Sequence, residues 1–245
     1  MKTIYETIGA AKEYCDYAID IYENCPHRCQ YCYAKAKAEK KNGSFAFNGL
    51  RKNILEETKA FLDIHTELKG KMIFLGFSSD CFAKDIDISG TIEMAKLLKS
   101  YGCNVMVCTK GKLTNDVKET LKYVDSIGIS LTCGEEMTSK YETNAASTNE
   151  RMELLKYAKS LGKETWISFE PVLEEKFIYD TLNSNFMDYV DIAKFGKLNH
   201  MEISDLTGNE DDNIDWARYR ENVIKICKER NINYKIKYAL EKFSS

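Results

Sequence analysis

Seven short apolar segments recur along the chain, and longer polar or amphipathic stretches separate them. The segments cover residues 18–22, 72–77, 105–109, 127–132, 166–170, 192–196 and 234–240. Several of them lack the strict alternation of apolar and polar positions that marks a strand exposed on one face. They are typical of parallel strands that are covered on both faces.

Helical periodicity fills most of the intervals. Apolar residues recur at three- and four-residue spacing over 50–68, 90–101, 113–123, 149–161 and 214–230. Gly102 and Gly162 follow two of these stretches and suit the left-handed position after a helix. Alternating strands and helices indicate right-handed βα units. This number of units in 245 residues predicts an α/β fold, a partial (βα)6-type barrel of parallel strands, in a single domain over residues 1–245.

Charge and hydropathy narrow the class of protein. The chain has 35 Lys and Arg against 38 Asp and Glu, so it lacks the overall basic surface that a nucleic-acid backbone needs, although a local basic face stays open. Its apolar runs are far shorter than the roughly 20 residues of a membrane helix, and no basic-then-apolar leader is seen. We expect a cytoplasmic protein without membrane contact, whose nine cysteines are reduced.

Three cysteines lie close together directly after the first predicted strand. Cys25, Cys29 and Cys32 have the spacing C-x3-C-x2-C, and thiolates are soft ligands that suit iron–sulfur clusters or zinc. Three thiolates leave one iron of a cubane cluster without a protein ligand, whereas ferredoxin-type carriers normally supply four. An open iron can bind a substrate or a cofactor. The alternative is a zinc site, with His27 as the fourth ligand.

The loop resembles the C-x3-C-x-aromatic-C signature of the radical S-adenosylmethionine (SAM) superfamily, with Tyr31 as the aromatic residue. The resemblance implies that Cys25, Cys29 and Cys32 hold a [4Fe–4S] cluster. It also implies that SAM chelates the open iron and is cleaved by one electron to a 5′-deoxyadenosyl radical. The implied partners are an unidentified substrate and an electron donor such as flavodoxin or ferredoxin. The extended form Cys-Tyr-Ala, which adds Tyr33, narrows the resemblance to the branch that contains spore photoproduct lyase.

Further matches to this branch follow three predicted strands. Ser79 and Asp80 resemble its Ser/Thr-Asp segment, and a carboxylate with a hydroxyl is a suitable acceptor for the SAM ammonium group. Lys110 resembles a lysine that meets the SAM carboxylate, Ser130 resembles a serine at a strand end, and Arg151 resembles a second carboxylate contact. The residues that the resemblance assigns to SAM are Tyr31, Tyr33, Ser79, Asp80, Lys110, Ser130 and Arg151.

The chain departs from the lyases at one chemically important position. Those enzymes carry a hydrogen-donating cysteine three positions before the aspartate of the Ser-Asp pair, where this chain has Phe77. A phenylalanine ring cannot donate a hydrogen atom to a thymine radical, so we expect no repair of spore photoproduct. Cys81 and Cys133 follow predicted strands and are the candidates for a radical or substrate role. Cys108 is expected to be structural.

Two other functions stay open. A glycyl-radical-enzyme activase also has an early C-x3-C-x2-C loop, but such enzymes carry a glycine-glycine-acid motif where this chain has Phe-Ser-Ser-Asp at 77–80. A non-catalytic zinc or iron–sulfur binding module is the alternative from another class. Glu170 and Lys194, in the fifth and sixth predicted strands, either face the substrate or the SAM ribose or form a strand-end salt bridge.

Overall fold

The computed structural model describes residues 3–198 and 200–243, and this part of the chain forms strands, α-helices and short 3-10 turns. The strands are β1 (Tyr5–Glu6), β2 (Tyr17–Ile19), β3 (Tyr22–Glu23), β4 (Gly49–Leu50), β5 (Met72–Leu75), β6 (Asn104–Thr109), β7 (Ser126–Ser130), β8 (Glu164–Phe169), β9 (Ile192–Phe195) and β10 (Tyr234–Ile236). The helices are α1 (Tyr33–Asn42), α2 (Ile54–Ile64), α3 (Ser89–Ser100), α4 (Asn115–Thr120), α5 (Glu135–Tyr141), α6 (Thr148–Ser160), α7 (Glu175–Asn183), α8 (Ile203–Thr207), α9 (Trp216–Glu229) and α10 (Tyr238–Glu241).

One large sheet organises the chain. Its strand order is β1-β2-β5-β6-β7-β8-β9-β10. The first pair is antiparallel, and every other pair of neighbours is parallel. β3 and β4 form a separate antiparallel pair. Because helices connect the parallel strands, their carboxyl ends meet at one edge of the sheet. The predicted α/β fold with a partial barrel of parallel strands is confirmed.

Side chains alternate between the two faces of this sheet. The outer face packs under the helices and contributes Ile73, Val107, Ile129, Ile167 and Phe195 to the main hydrophobic core. The inner face lines the interior of the partial barrel with Ala18, Phe74, Met106 and Trp166. Gly128 makes room for the indole of Trp166, since a Cβ at that glycine would lie 2.4 Å from the ring. Both faces are therefore covered, as the unbroken apolar segments predict.

Three predicted elements differ from the structure. The segment 18–22 is divided between the end of β2 and the start of β3, which belong to separate sheets. The segment 234–240 is a strand only to Ile236, because the backbone of Lys237 turns into α10 and places Leu240 in the core. The predicted helix 50–68 is interrupted, since α2 ends at Ile64 and a 3-10 turn covers Thr66–Leu68. Gly102 and Gly162 have the predicted left-handed conformation, with φ of 76° and 73°.

Several helices have no counterpart among the predicted elements. α1 alternates alanine and lysine and has no apolar stripe, so periodicity does not reveal it. α5 is only seven residues long. Within residues 3–198 and 200–243, no helix is both long enough and apolar enough to cross a lipid bilayer. The assignment of residues 1–245 to one domain stays a prediction.

Candidate functional site

The cysteine loop lies after β2 and β3 and is held by the segment that follows α5. The backbone N–H of Gln30 donates to the carbonyl of Tyr141 at 2.9 Å, and the N–H of Asn144 donates to the carbonyl of His27 at 3.2 Å. The side-chain amide of Asn144 also donates to the carbonyl of Pro26 at 2.9 Å. The loop backbone is thus fixed on both sides of its central cysteine.

The three thiols of the loop are close enough to one another to interact electrostatically. Cys32 caps α1, and its Sγ accepts a hydrogen bond from the backbone N–H of Lys35 at 3.4 Å. A helix N-terminus favours an anionic sulfur. Burial raises the pKa of Cys25 to about 12, so a metal that binds this thiol must displace its proton.

His27 is not available as a zinc ligand. Its Nδ1 lies 3.4 Å from Oδ2 of Asp80, and its Nε2 accepts the backbone N–H of Lys84 at 3.4 Å. Burial lowers the pKa of His27, so the ring is neutral at pH 7 and both nitrogens are engaged. Within residues 3–198 and 200–243, no three His, Cys, Asp or Glu side chains are gathered around one ion position. Three thiolates without a fourth protein ligand are the donor set of a cluster that keeps one iron open.

Asp80 connects the cysteine loop to the end of β6. Its Oδ1 accepts from Oγ1 of Thr109 at 2.7 Å and from the N–H of Phe82 at 2.9 Å. Its Oδ2 accepts from the backbone N–H of Lys110 at 2.6 Å and faces Nδ1 of His27 at 3.4 Å. These contacts occupy the four lone-pair directions of a carboxylate. The carboxylate of Asp80 is thus engaged within the protein, and its predicted contact with the SAM ammonium stays a prediction.

Two neighbouring polar groups lack a polar partner in the described part of the chain. Ser79 is 7% exposed, and its Oγ has no hydrogen-bond partner there. The ammonium of Lys110 lies 5.7 Å from the ring centroid of Tyr31 and forms no ion pair with a described carboxylate. Burial lowers the pKa of Lys110, but the Glu142 carboxylate and the Cys29 sulfur outweigh burial and raise the pKa. A charged amine and a buried hydroxyl are thus free beside the cysteine loop.

A buried ion pair lies behind Lys110. Glu142 and Arg151 are 1% and 0% exposed, and Nη2 of the arginine donates to the glutamate. The guanidinium also donates to the carbonyls of Ser130 at 3.0 Å and Ala146 at 2.9 Å. Arg151 has no exposed surface, and its guanidinium is already hydrogen-bonded within the protein. Its position therefore gives no support to the predicted contact with the SAM carboxylate. It holds Glu142 and the end of β7 in place.

Glu142 belongs to a segment that resembles the family, but the sequence assigns it no role. It accepts hydrogen bonds from the Tyr31 hydroxyl and, at 2.9 Å, from Oγ1 of Thr132. Burial by itself raises the pKa of Glu142, but Arg151 and Lys110 outweigh burial and hold it below its ordinary value. An ionised Glu142 therefore orients the aromatic ring that follows Cys29. No local spacing in the sequence identifies this role.

Tyr33 and Ser130 are the remaining predicted SAM residues. Tyr33 begins α1, is 46% exposed and donates its hydroxyl to the carbonyl of Phe77 at 2.6 Å. Ser130 ends β7 and is 8% exposed, and its Oγ lies 3.6 Å from Sγ of Cys108. Of the predicted SAM residues, Ser79 and Lys110 keep polar groups without a polar partner among the described residues, whereas Tyr31 and Ser130 are buried and have partners. Asp80 and Arg151 are hydrogen-bonded to the residues around them.

Cys108, unlike Cys81 and Cys133, packs with the inner-face cluster of the barrel. The latter two are fully buried, and Cys133 interacts with threonines of its own core cluster. Cys108 follows Met106 by two positions in β6, so the two side chains share the inner face. Burial raises the pKa of Cys108, and the group is a neutral thiol at pH 7. The prediction that Cys108 is only structural is not supported by this placement.

The sequence from residue 19 to residue 173 matches the family model described as "Radical SAM superfamily". The chain belongs to the radical SAM superfamily. The match runs from the last residue of β2 to just past β8 and includes the cysteine loop, Ser79, Lys110 and Ser130. The predicted superfamily and the prediction of a radical SAM enzyme are confirmed, and with them SAM-derived radical chemistry. Members of this superfamily generally use SAM and an iron–sulfur cluster.

Solved structures share the fold of this radical SAM protein. A mutant of spore photoproduct lyase with bound AdoMet and dinucleoside spore photoproduct has a TM-score of 0.68 at 11% identity, over 95% of this chain and 79% of that chain. Streptococcus suis SuiB bound to S-adenosylmethionine has a TM-score of 0.60 at 13% identity, over 89% of this chain and 46% of that chain. A search of curated protein sequences gave no match. At these identities the likeness establishes the shared fold alone.

Proposed function

We propose that the chain reductively cleaves SAM at a [4Fe–4S] cluster held by Cys25, Cys29 and Cys32, and acts through a 5′-deoxyadenosyl radical on an unidentified substrate. The cluster, when bound, supplies the open iron and the electron for this cleavage. The observation that carries the proposal is the pair of unpartnered polar groups beside the cysteine loop, the ammonium of Lys110 and the hydroxyl of Ser79. In this proposal, a donor such as flavodoxin or ferredoxin supplies that electron to the bound cluster.

Each group of the site has a separate task in this proposal. Lys110 binds the SAM carboxylate, because it is charged and forms no ion pair with the described carboxylates. Ser79 and Ser130 offer hydroxyl oxygens to the SAM ammonium, and Tyr31 presents its ring beside Lys110. Tyr33, at the exposed start of α1, covers the mouth of the site.

Asp80, Glu142 and Arg151 act on these groups from behind. The Asp80 carboxylate fixes the backbone N–H of Lys110, and the Glu142 carboxylate fixes the hydroxyl of Tyr31. They keep the strand ends and the loop in one arrangement, which reduces the conformational entropy lost when SAM binds. In this proposal, the residues that contact SAM itself are Lys110, Ser79, Ser130 and Tyr31.

Metal analysis tests the assignment of the cluster. After anaerobic reconstitution with iron and sulfide, the wild-type chain should carry about four irons. The triple variant Cys25→Ala, Cys29→Ala, Cys32→Ala should carry none, and Cys227→Ala, which removes a buried thiol of α9, should keep the wild-type content. Four irons in the triple variant, or one zinc and no iron in the wild type, would reject the proposal.

Repair of spore photoproduct is not part of the proposed function. Phe77 occupies the position of the lyases' hydrogen-donating cysteine and stacks on Phe74 with ring centroids 4.2 Å apart. An aromatic ring packed in this way offers no transferable hydrogen atom. Turnover of dinucleoside spore photoproduct to thymines by the reconstituted protein would show that another thiol replaces the missing donor.

A further inference from the structure

Polar side chains form a row across the inner face of the sheet, near its carboxyl edge. Ser130 of β7 is in register with Ser168 of β8, and Ser168 is in register with Lys194 of β9. The neighbours of Lys194 in its own strand, Ala193 and Phe195, belong to the outer core. Alternation therefore directs Lys194 into the barrel interior, on the side where Ser130 lies.

A second lysine of the interior already has its counter-charge. Lys237 is 1% exposed, and its ammonium donates to Glu170 and Tyr14 and, at 3.1 Å, to Oγ of Ser168. The Tyr14 hydroxyl also donates to Glu170 at 3.0 Å. Of the two alternatives for Glu170, the structure shows the salt bridge, but with Lys237 and not with Lys194.

Lys194 has no such counter-charge. It is 7% exposed, and within residues 3–198 and 200–243 its ammonium makes no hydrogen bond or ion pair. The Nζ lies 3.8 Å from the ring centroid of Trp166 and 5.2 Å from that of Tyr14. Aromatic faces stabilise an ammonium group only in part, and a buried charge without a partner is costly. The ammonium of Lys194 therefore lacks a counter-charge among the described residues.

The charged and titratable groups around Lys194 come from several elements. Its pKa is lowered to about 8, chiefly by burial and also by Lys237 before α10 and Lys235 of β10, whereas Cys108 of β6 and Glu164 of β8 act to raise it. Cys15, which precedes β2, also interacts electrostatically with Lys194. The amine is therefore poised between its two protonation states near neutral pH. A bound anion would favour the charged state.

We propose that Lys194 binds an anionic group of the substrate, a carboxylate or a phosphate, inside the partial barrel. The inference rests on the proposed radical chemistry only in calling the bound molecule a substrate. The aromatic rings of Trp166 and Tyr14 lie against the ammonium, and the hydroxyls of Ser130 and Ser168 continue the row toward the proposed SAM contacts. A substrate anchored at Lys194 would thus extend toward the site of radical formation.

The fluorescence of Trp166 reports on the charge of Lys194, because the ammonium lies over the indole ring. The full reconstituted chain with Trp216→Phe keeps this indole as its single tryptophan, since the sequence has two. Its emission should titrate with a midpoint near pH 8. Inorganic phosphate or acetate, at ten times its Kd, should raise that midpoint by about one pH unit. Whichever anion acts at the lower concentration identifies the class of substrate group.

Matched variants assign the effect to one amine. Lys194→Met should abolish both the titration and the anion effect, whereas Lys235→Met, which removes an exposed lysine of β10, should keep both. If Trp216→Phe does not fold, carbon-13 NMR of the reductively methylated lysines gives the same midpoint in the otherwise unchanged chain. A midpoint that neither anion moves, or an anion effect that persists in Lys194→Met, overturns the proposal. The fluorescence and NMR titrations do not depend on SAM cleavage. A failure of the proposed SAM chemistry is therefore detected separately, by the release of 5′-deoxyadenosine.

Discussion

Replacement of Glu142 by alanine should destabilise the protein more than any surface substitution of similar size. The change removes the acceptor for Arg151 and Tyr31, and the guanidinium is left with no exposed surface. Loss of one partner of a buried ion pair costs about 3–5 kcal/mol, because the remaining charge is out of reach of water. For a chain of this length each kcal/mol lowers Tm by about 2–4 °C. We therefore expect a decrease of roughly 6–20 °C in differential scanning calorimetry.

Two further variants isolate the cause. The double variant Glu142→Leu, Arg151→Met should recover much of the lost stability, because it removes both buried charges together. Asp180→Ala, which breaks an exposed ion pair with Lys176, should change Tm far less. A loss below about 1 kcal/mol in Glu142→Ala would refute the assignment of a structural ion pair.

The pH dependence of stability gives the same interaction a second signature. Arg151 and Lys110 outweigh burial and hold the pKa of Glu142 below the 4.5 of an ordinary glutamate. Its contribution is therefore fully present above pH 4.5 and is lost as the pH falls through the lowered value. The stability difference between wild type and Glu142→Gln should shrink over that acidic range. A difference that is independent of pH would contradict the assignment.

The remaining predictions concern the SAM site and the cluster. Lys110→Ala should weaken SAM binding by roughly 10- to 150-fold in equilibrium titration, because a charge-assisted bond contributes about 1.5–3 kcal/mol; unchanged affinity would remove Lys110 from the site. Asp80→Ala should lower the unfolding free energy by about 1.5–3 kcal/mol in urea titration, since two backbone N–H groups lose their acceptor; weakened SAM binding at full stability would instead restore the predicted direct contact. The fraction of iron retained after gel filtration should decrease as the pH is lowered from about 8.5 to about 6. Burial raises the pKa of the Cys25 thiol to about 12, and binding of the cluster must release the proton of this thiol. Iron retention that does not depend on pH would contradict this coupling.

The order of strands and helices could be predicted because parallel strands and their covering helices have distinct apolar patterns. The patterns do not distinguish the two faces of a strand that is buried on both. Val107 and Cys108 are adjacent in β6, yet only Cys108 and its second neighbour Met106 face the barrel interior. Position after a predicted strand favours Cys81 and Cys133 over Cys108, but both of those thiols are fully buried.

The candidate site shows a similar division. The spacing of Cys25, Cys29 and Cys32 shows, without knowledge of the fold, that three thiols lie on one short loop. The ion pair between Glu142 and Arg151 depends on how the end of α5 meets α6, and nothing in the local sequence indicates it. The resemblance to the family predicts Arg151 as a ligand contact, and the burial of its guanidinium, which depends on the fold, instead favours the positioning role that we propose.

Release of 5′-deoxyadenosine tests the central claim most directly. The anaerobically reconstituted protein, with SAM and dithionite, should form 5′-deoxyadenosine and methionine even without substrate, as measured by liquid chromatography and mass spectrometry. The triple variant of Cys25, Cys29 and Cys32 should form none, and Cys227→Ala should form as much as the wild type. A wild-type protein that holds four irons and binds SAM, yet releases no 5′-deoxyadenosine, would contradict the account.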